Sequence, residues 1–325
     1  MDGELDKLDR KLLYELDSNA RQSLNSVAKK LKIGRNVALY RFNRLKERGI
    51  IKGTVTEINN YLLGYHTFRI FFKIGNYEQK ELEEMLKFIE DSEKTFWFSR
   101  VLGLWDLDMI FLVREIGEFE EFKRELLFKF NKIIENSEVS LLTGIYGYPL
   151  DYLISDKRTN IKPKIYDINT KGSYNLDSKD KELLFLLSKD ATIGIIGLAS
   201  KLKLSINTVK RRMKNLEKNK VITGYRLFID TEKLGYQHYK LHLYLKKYNE
   251  SDYKKLKSWL ETKPFMTYID QYINGADFEF ELHLKTEEEY LKFFKELYSE
   301  FSTIIQDHFV IKFYDVRIFK YLPGN

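Results

Sequence analysis

The chain has 325 residues, a formal net charge of +7 and a hydrophobic content of 43%, enough for about two domains with a sizeable core each. It contains no cysteine, which excludes disulfides, thiolate metal sites and a cysteine nucleophile and fits a reducing, cytoplasmic setting. The acidic start Met1-Asp2-Gly3-Glu4-Leu5 has no apolar leader core, and no apolar run approaches the ~18 residues of a membrane span, so no membrane partner is expected.

The positive balance favours a polyanionic partner, but Lys, Ile, Asn, Tyr and Phe are abundant throughout, so the weight falls on where charge is concentrated. Leu5 to Asp17 carries leucines at helical spacing, with Asp6 and Asp9 placed early to complement the helix dipole. A shorter helix follows over Leu24 to Leu31, then a tight turn at Lys32-Ile33-Gly34 and a third helix over Arg35 to Arg48, stopped at Gly49. That order predicts a helix-turn-helix whose last helix enters a DNA groove. Ile50 to Ile58, with Gly53 midway, reads as a small hairpin, a wing.

From Tyr65 the apolar period changes to two. A strand around Phe68 to Ile74 is followed by a helix over Glu78 to Glu90, strands over Phe96 to Leu102 and Leu107 to Val113, a helix over Glu118 to Ile134 and a strand over Val139 to Tyr146. This is a β-α-β-β-α-β unit. Tyr148 to Asn175, with Pro149, Pro163 and Gly172 and no clear period, reads as a linker.

The rest of the chain repeats this order. Sliding the sequence by 171 residues aligns Leu5 to Tyr65 with Leu176 to Tyr236 without a gap, and about a third of those pairs are identical, among them Asp6/Asp177, Asp9/Asp180, Asn36/Asn207, Arg41/Arg212 and Gly53/Gly224. The second reading helix is the more basic: Ser205 N-caps it, Val209, Met213 and Leu216 form its inner stripe, and Ser205 to Lys220 holds six Lys/Arg against one Glu. The register resumes at Asp106/Asp277 and Phe122/Phe293, and predicts further elements at Tyr239 to Leu245, Ser251 to Leu260, Met266 to Ile273, Phe278 to Leu284, Glu287 to Phe301 and Phe309 to Phe319. The expected fold is therefore α+β, two tandem modules, each a winged helix-turn-helix (1–63 and 176–234) followed by a ferredoxin-like β-α-β-β-α-β unit (64–147 and 235–325), with 148–175 between them.

Several motifs in this order carry a resemblance: Leu5-Asp6-x-x-Asp9, Ala28-Lys29-Lys30-Leu31, Leu204-Ser205-x-x-x-Val209-x-x-Arg212, Gly49-Ile50-Ile51-x-Gly53 and Leu63-Gly64. Together they resemble the Lrp/AsnC (feast/famine) family of prokaryotic transcription regulators, in a form that looks like two fused protomers. The resemblance implies a helix-turn-helix regulator, an effector-binding RAM unit that dimerises through its open sheet face, and an amino-acid effector near a Gly-x-x-Asp turn. Carried onto this chain, those turns are Gly103 with Asp106 and Gly275 with Asp277; the first contains an inserted Trp105 and the second is one residue shorter.

DNA contacts are expected from Arg35, Asn36, Tyr40, Arg41 and Arg44 on one reading helix and Ser205, Asn207, Thr208, Lys210, Arg211, Arg212 and Lys214 on the other. The asparagines suit adenine and the cations phosphate or guanine. Arg41 and Arg212 suit equally an ion pair to the first helix. Because the two faces differ, a single-chain pseudo-dimer reading an asymmetric duplex site is expected, with further homo-oligomerisation.

A second group of residues suggests a different chemistry. His238 and His242 share one strand face and His283 falls on the facing strand, where Lys240, Glu279, Glu281 and Lys312 accompany them opposite Arg69, Phe71, Ile110 and Leu112 of the first unit. A polar contact between two sheets is the expectation, with a metal or haem-like site as the sharper alternative. Siroheme decarboxylases also resemble tandem Lrp/AsnC modules, and they frame the alternative function; a DNA-compacting protein of low specificity is a third. With no P-loop, no Gly-x-Ser-x-Gly elbow and no His-Glu-x-x-His, no catalytic residue, metal or resident cofactor is assigned, and the chain is expected not to be an enzyme.

Overall fold

The computed structural model of the protein describes residues 5–159, 163–167, 173–319 and 322; Met1 to Glu4 and Gly172 of the sequence reading lie outside them. The first helical unit is α1 (Lys7–Ser18), α2 (Leu24–Leu31) and α3 (Arg35–Glu47), followed by β1 (Ile51–Ile58). The first α/β unit is β2 (His66–Ile74), α4 (Gln79–Asp91), β3 (Thr95–Gly103), β4 (Leu107–Val113), α5 (Ile116–Lys129) and β5 (Ile134–Gly147). A short β6 (Lys164–Asp167) lies in the connection. The second half repeats the pattern as α6 (Ser178–Lys189), α7 (Ile195–Leu202), α8 (Ile206–Lys218), β7 (Ile222–Ile229), β8 (Gln237–Leu245), α9 (Glu250–Glu261), β9 (Met266–Ile273), β10 (Phe278–Leu284), α10 (Glu287–Phe301) and β11 (Ile305–Phe319).

Local sequence sets the helix starts. Asp6 caps α1 by accepting from the amides of Leu8 (2.9 Å) and Asp9 (2.8 Å), and its copy Asp177 caps α6 by accepting from Asp180 (2.7 Å). Ser205 caps α8 by accepting from Thr208 at 3.1 Å, whereas Gly34 ahead of α3 offers no side chain. The turns into both reading helices place a lysine, Lys32 or Lys203, in the left-handed region (φ 56° and 54°), so the duplicated residue keeps a duplicated conformation.

The predicted wing hairpin is corrected. Each half contributes one strand, and β1 pairs antiparallel with β7, Val55 opposite Arg226 and Thr56 opposite Tyr225. A lone hairpin is marginal in water, whereas this ribbon joins the two halves and pairs one edge of each strand with the other. Helix α1 packs on β7 and α6 on β1, so each first helix lies on the other half's strand. The two helical units share a single core in which Leu12 and Leu45 of one join Leu183 and Leu216 of the other.

The α/β strands follow the order β2-β4-β3-β11-β8-β10-β9-β5, and β5 pairs back onto β2, closing an eight-stranded antiparallel barrel. Each half supplies one four-stranded ferredoxin-like sheet, and the seams are β3–β11 and β5–β9. Alternation sorts the side chains. Phe72, Phe98 and Phe111 face outward under α4 and α5, Leu243, Phe280 and Leu282 face outward under α9 and α10, and the polar positions point into the barrel. Strand β6 hangs on β5, so the connection is partly built into the sheet. Arg158 fixes it further by donating to the carbonyl of Pro149 (3.0 Å) and to Asp151 (3.1 Å).

The β3–β11 seam requires Gly103. Its φ is +136°, and a Cβ there would collide with the carbonyl oxygen of Val310 on β11. Gly103→Ala is expected to cost more than about 2 kcal/mol in chemical denaturation, whereas Gly53→Ala, with open space around it and an ordinary φ, stays within about 0.5 kcal/mol.

Candidate functional site

The two reading helices present unlike faces. On α3 the inner stripe is Ala38 and Leu45, and Arg35, Asn36, Leu39 and Tyr40 are exposed, Tyr40 by 65%. On α8 the stripe is Val209, Met213 and Leu216, and Asn207, Lys210, Arg211 and Lys214 are exposed. One outer face is therefore mixed, with Leu39 and Tyr40 beside Arg35 and Asn36, and the other is cationic. Ser205 is occupied as the cap, and its hydroxyl lies 2.8 Å from that of Thr208.

Three of the expected DNA contacts are held elsewhere. Arg41 donates to Asp6 (2.7 Å) and to the fully buried Asp9 (2.8 Å), which also accepts from Arg44 at 2.5 Å. In the second copy Arg212 donates to Asp177 and Asp180, both at 2.7 Å. Charge balance explains the arrangement: a buried carboxylate on the first helix needs a partner, and the reading helix supplies it. These arginines fix the reading helix against the first helix, which for Arg41 and Arg212 is the second of the two roles their sequence positions suggested and for Arg44 a role the sequence did not suggest.

The Gly-x-x-Asp turns also carry structure. Asp106 accepts from the Ile74 amide and Asp277 from the Leu245 amide, both at 2.8 Å, so each carboxylate ties its turn to the end of a neighbouring strand. Asn274 occupies the repeat position of Gly103 with φ 60°, and the Gly275 backbone is not left-handed. Trp105 is buried and stacks on Phe71 with ring centroids 5.7 Å apart, plugging one end of the barrel with Val101, Ile311 and Phe313. The effector expected at these turns would have to compete with backbone amides for Asp106 and Asp277.

Inside the barrel the two sheets meet through charge. Arg69 of β2 donates Nε to Asp108 (2.7 Å) and Nη1 to Glu279 of the other half (2.9 Å) and to the Tyr272 hydroxyl (3.1 Å). Its repeat partner Lys240 is buried and pairs with Asp270, with Glu279 and Glu281 at 3.5 and 3.6 Å. The predicted polar contact between the sheets is this cluster. Lys312 is not in it, because it alternates with the inward-facing Ile311 and Phe313 and so falls on the outer side.

The halves differ most here. Where the first copy has Phe71, Ile110 and Leu112, the second has His242, Glu281 and His283, 171 residues on. His283 stacks on His238 at 4.3 Å and on Tyr152 at 5.2 Å, while His242 lies 3.3 Å from Glu279. Burial lowers the pKa of both His242 and His283, in His283 well below the usual imidazole value, so His283 is neutral at neutral pH. Among the described residues no group of His, Cys, Asp and Glu has a metal-holding arrangement.

A cavity of about 320 Å³ lies between the barrel mouth and the β1–β7 ribbon. Arg69, Lys240, Asp270 and Glu281 face it from the barrel, and Val55, Glu57 and Arg226 from the ribbon. Tyr152 and Tyr166 of the connection close it. Arg226 is fully paired: Nη2 donates to Asp17 of α1 at 2.6 Å and Nη1 to the Tyr268 hydroxyl at 3.0 Å. Sequence reading missed Asp17, Arg226, Tyr152 and Tyr166. Asp17 and Arg226 have Ser188 and Val55 as repeat partners, and that loss of self-similarity at two otherwise matched positions was the available signal.

Comparison with known proteins follows the duplication. The winged helix-turn-helix DNA-binding family model matches residues 5–52 and again 176–223. An uncharacterized HTH-type transcriptional regulator of Pyrococcus furiosus is 30% identical over 125 residues, which is 38% of this chain and 82% of that protein. The HTH-type transcriptional regulator Ptr1 of Methanocaldococcus jannaschii is 29% identical over 125 residues, again 38% of this chain and 82% of that one. Each of these matches spans about one module.

A solved structure matches the whole length. The siroheme decarboxylase NirDL, in co-complex with an iron-uroporphyrin III analogue, superposes with a TM-score of 0.64 at 13% identity, covering 98% of this chain and 94% of that one. The likeness is one of fold. It corrects the expectation that the chain is not an enzyme: the same end-to-end architecture occurs in a decarboxylase, so the absence of contiguous catalytic motifs is no argument. A site made of inward-facing residues from many strands leaves no such motif to find.

The charge cluster makes the barrel acid-sensitive. Burial opposes ionisation of Glu279, but the hydrogen bond and charge of His242 and the charges of Lys240 and Arg69 outweigh it and hold the carboxyl down at about 2. A carboxyl depressed below its unfolded value of about 4.3 adds stability that is complete above that pH and lost as pH falls toward 2. Glu279→Gln is expected to flatten the fall in unfolding free energy between about pH 4.5 and 2, measured by urea denaturation across that range.

Proposed function

Because this chain belongs to the Lrp/AsnC family of HTH-type transcriptional regulators, we propose that it binds duplex DNA as a single-chain pseudo-dimer and regulates transcription in the cytoplasm. The observation that carries this reading is the β1–β7 ribbon, which couples two exposed reading helices through one antiparallel pairing and thus an approximate twofold. That arrangement suits two half-sites about one helical turn apart.

The half-sites are unlike. Asn36 and Asn207 suit bidentate contact with adenine, Leu39 and Tyr40 suit thymine methyl groups, and Lys210, Arg211 and Lys214 suit phosphate or guanine. Arg35 and Thr208 lie on the same outer faces. Arg41, Arg44 and Arg212 act as positioning residues. An effector finds better room in the cavity under the ribbon than at the Gly103 and Gly275 turns, because Asp106 and Asp277 already serve backbone amides.

A second reading is favoured by one observation, the nearly complete coverage of NirDL by this chain. In it the cavity takes a tetrapyrrole polycarboxylate. The lining fits such a ligand poorly, since Arg69, Arg226 and Lys240 are each neutralised by carboxylates of this chain. Mixing the protein with siroheme tests it: a Soret shift with release of carbon dioxide establishes the enzyme, and an unchanged spectrum removes this reading.

Selection of bound fragments from random duplex DNA is expected to return an asymmetric site. Asn36→Ala and Asn207→Ala should each relax one half-site by about 1–3 kcal/mol, and Lys210→Ala should lower the salt slope by about one. An inverted repeat that outcompetes every asymmetric sequence would overturn the assignment of unlike half-sites.

A further inference from the structure

The cavity under the ribbon has a definite chemical preference. Six carboxylates gather in and behind its wall, Asp17, Glu57, Asp108, Asp270, Glu279 and Glu281, and four cations meet them: Arg69, Arg226, Lys240 and Lys164. The balance is negative, and it stays negative with His238 counted as a cation beside Glu281, because burial lowers the pKa of the other imidazole, His242 beside Glu279.

Every one of those cations is already within ion-pair distance of a carboxylate. Arg69 holds Asp108 and Glu279, Arg226 holds Asp17, Lys240 holds Asp270, and Lys164 holds Glu57. An incoming anion would have to displace one of them, leaving a buried carboxylate unpaired, which costs several kcal/mol. A cation meets a smaller barrier, because the carboxylates outnumber the cations and share them: Asp108 and Glu279 share Arg69, and Asp270 and Glu281 share Lys240.

Two further features complete the site. Asn60, 8% exposed, and Tyr152 both line the wall, and neither the Asn60 Oδ1 nor the Tyr152 hydroxyl has a hydrogen-bond partner. Much of the remaining wall is aromatic and aliphatic, including Phe96, Trp97, Ile110, Leu142, Tyr166 and Tyr268. Aromatic faces attract cations, and a pocket of about 320 Å³ is at the small end of ligand sites.

We propose that this cavity binds a small organic amine, a cation with an apolar or aromatic body, whose ammonium group is received by the wall carboxylates and the unpartnered oxygens of Asn60 and Tyr152. The site names the effector class of the regulator, but it rests on the cavity alone and not on DNA binding. Ligands that carry a carboxylate are disfavoured, tetrapyrrole polycarboxylates among them.

The test uses size-matched probes on the full chain without DNA, so its outcome is independent of the DNA assay. Phenethylamine and 3-phenylpropionate differ mainly in the sign of the charged group, and phenylalanine adds a carboxylate to the first. Calorimetric titration is expected to give saturable binding of phenethylamine, at least tenfold weaker binding of phenylalanine and none of 3-phenylpropionate. Tyr152→Phe and Asn60→Ala, which remove oxygens without internal hydrogen-bond partners and whose fold is checked by circular dichroism, should each weaken phenethylamine at least fivefold. Binding of 3-phenylpropionate or iron-uroporphyrin as tight as that of the amine, amine binding indifferent to both variants, or no amine binding at all would overturn the proposal.

Discussion

The structure depends on closing the edges of two sheets with each other. A four-stranded ferredoxin-like sheet exposes two edges and one open face, and all three are liabilities in water. The duplicated chain removes them together, because β3 pairs with β11 and β5 with β9, and the two open faces become the inside of a barrel. That solution creates a new demand. Polar residues on the inner faces are now buried, and each charge among them must find its opposite.

Some of the pairs that meet this demand lie within one half, as Arg69 with Asp108 and Lys240 with Asp270, and others cross from half to half. Arg69 reaches Glu279, and Arg226 reaches Asp17, so the barrel, the ribbon and the first helix are joined by ionic contacts as well as by the chain. Replacing such pairs with apolar residues is often neutral for stability, while breaking one partner is costly. Their value here is one of registration. They specify how the second half sits on the first, which a wholly apolar barrel interior would leave less defined.

Much of this was legible in the sequence. The 171-residue repeat announced two copies of one element order, the change of apolar period at Tyr65 separated helical from α/β elements, and alternation along Tyr239 to Leu245 placed His238, Lys240 and His242 on one face. Two things were not legible. The wing was read as a hairpin because Gly53 marks a break in a short apolar strand, and nothing local reveals that the partner strand lies 171 residues away. The cavity was missed because its walls come from both halves and from Tyr152 and Tyr166 of the connection, whose lack of periodicity concealed residues chosen for tertiary contacts. Arg41 and Arg212 show the limit of a charge argument: a basic residue on a reading helix at matched positions in both copies is as well explained by the aspartate it neutralises.

Fusion of the halves has a consequence for how the molecule behaves among its kin. A regulator assembled from separate subunits dissociates on dilution and can exchange protomers with any sibling that shares its contact surface. Here the two partners arrive on one polypeptide, joined by a connection that contributes a strand to the sheet and two tyrosines to the cavity wall, so stoichiometry is fixed at synthesis and mixed pairs are avoided. Freed from the requirement that one gene product match itself, each copy accumulates its own substitutions, and the interior carries His242, Glu281 and His283 on one side where the other has Phe71, Ile110 and Leu112. Divergence of that kind is open to a covalent pair and closed to a strict homodimer.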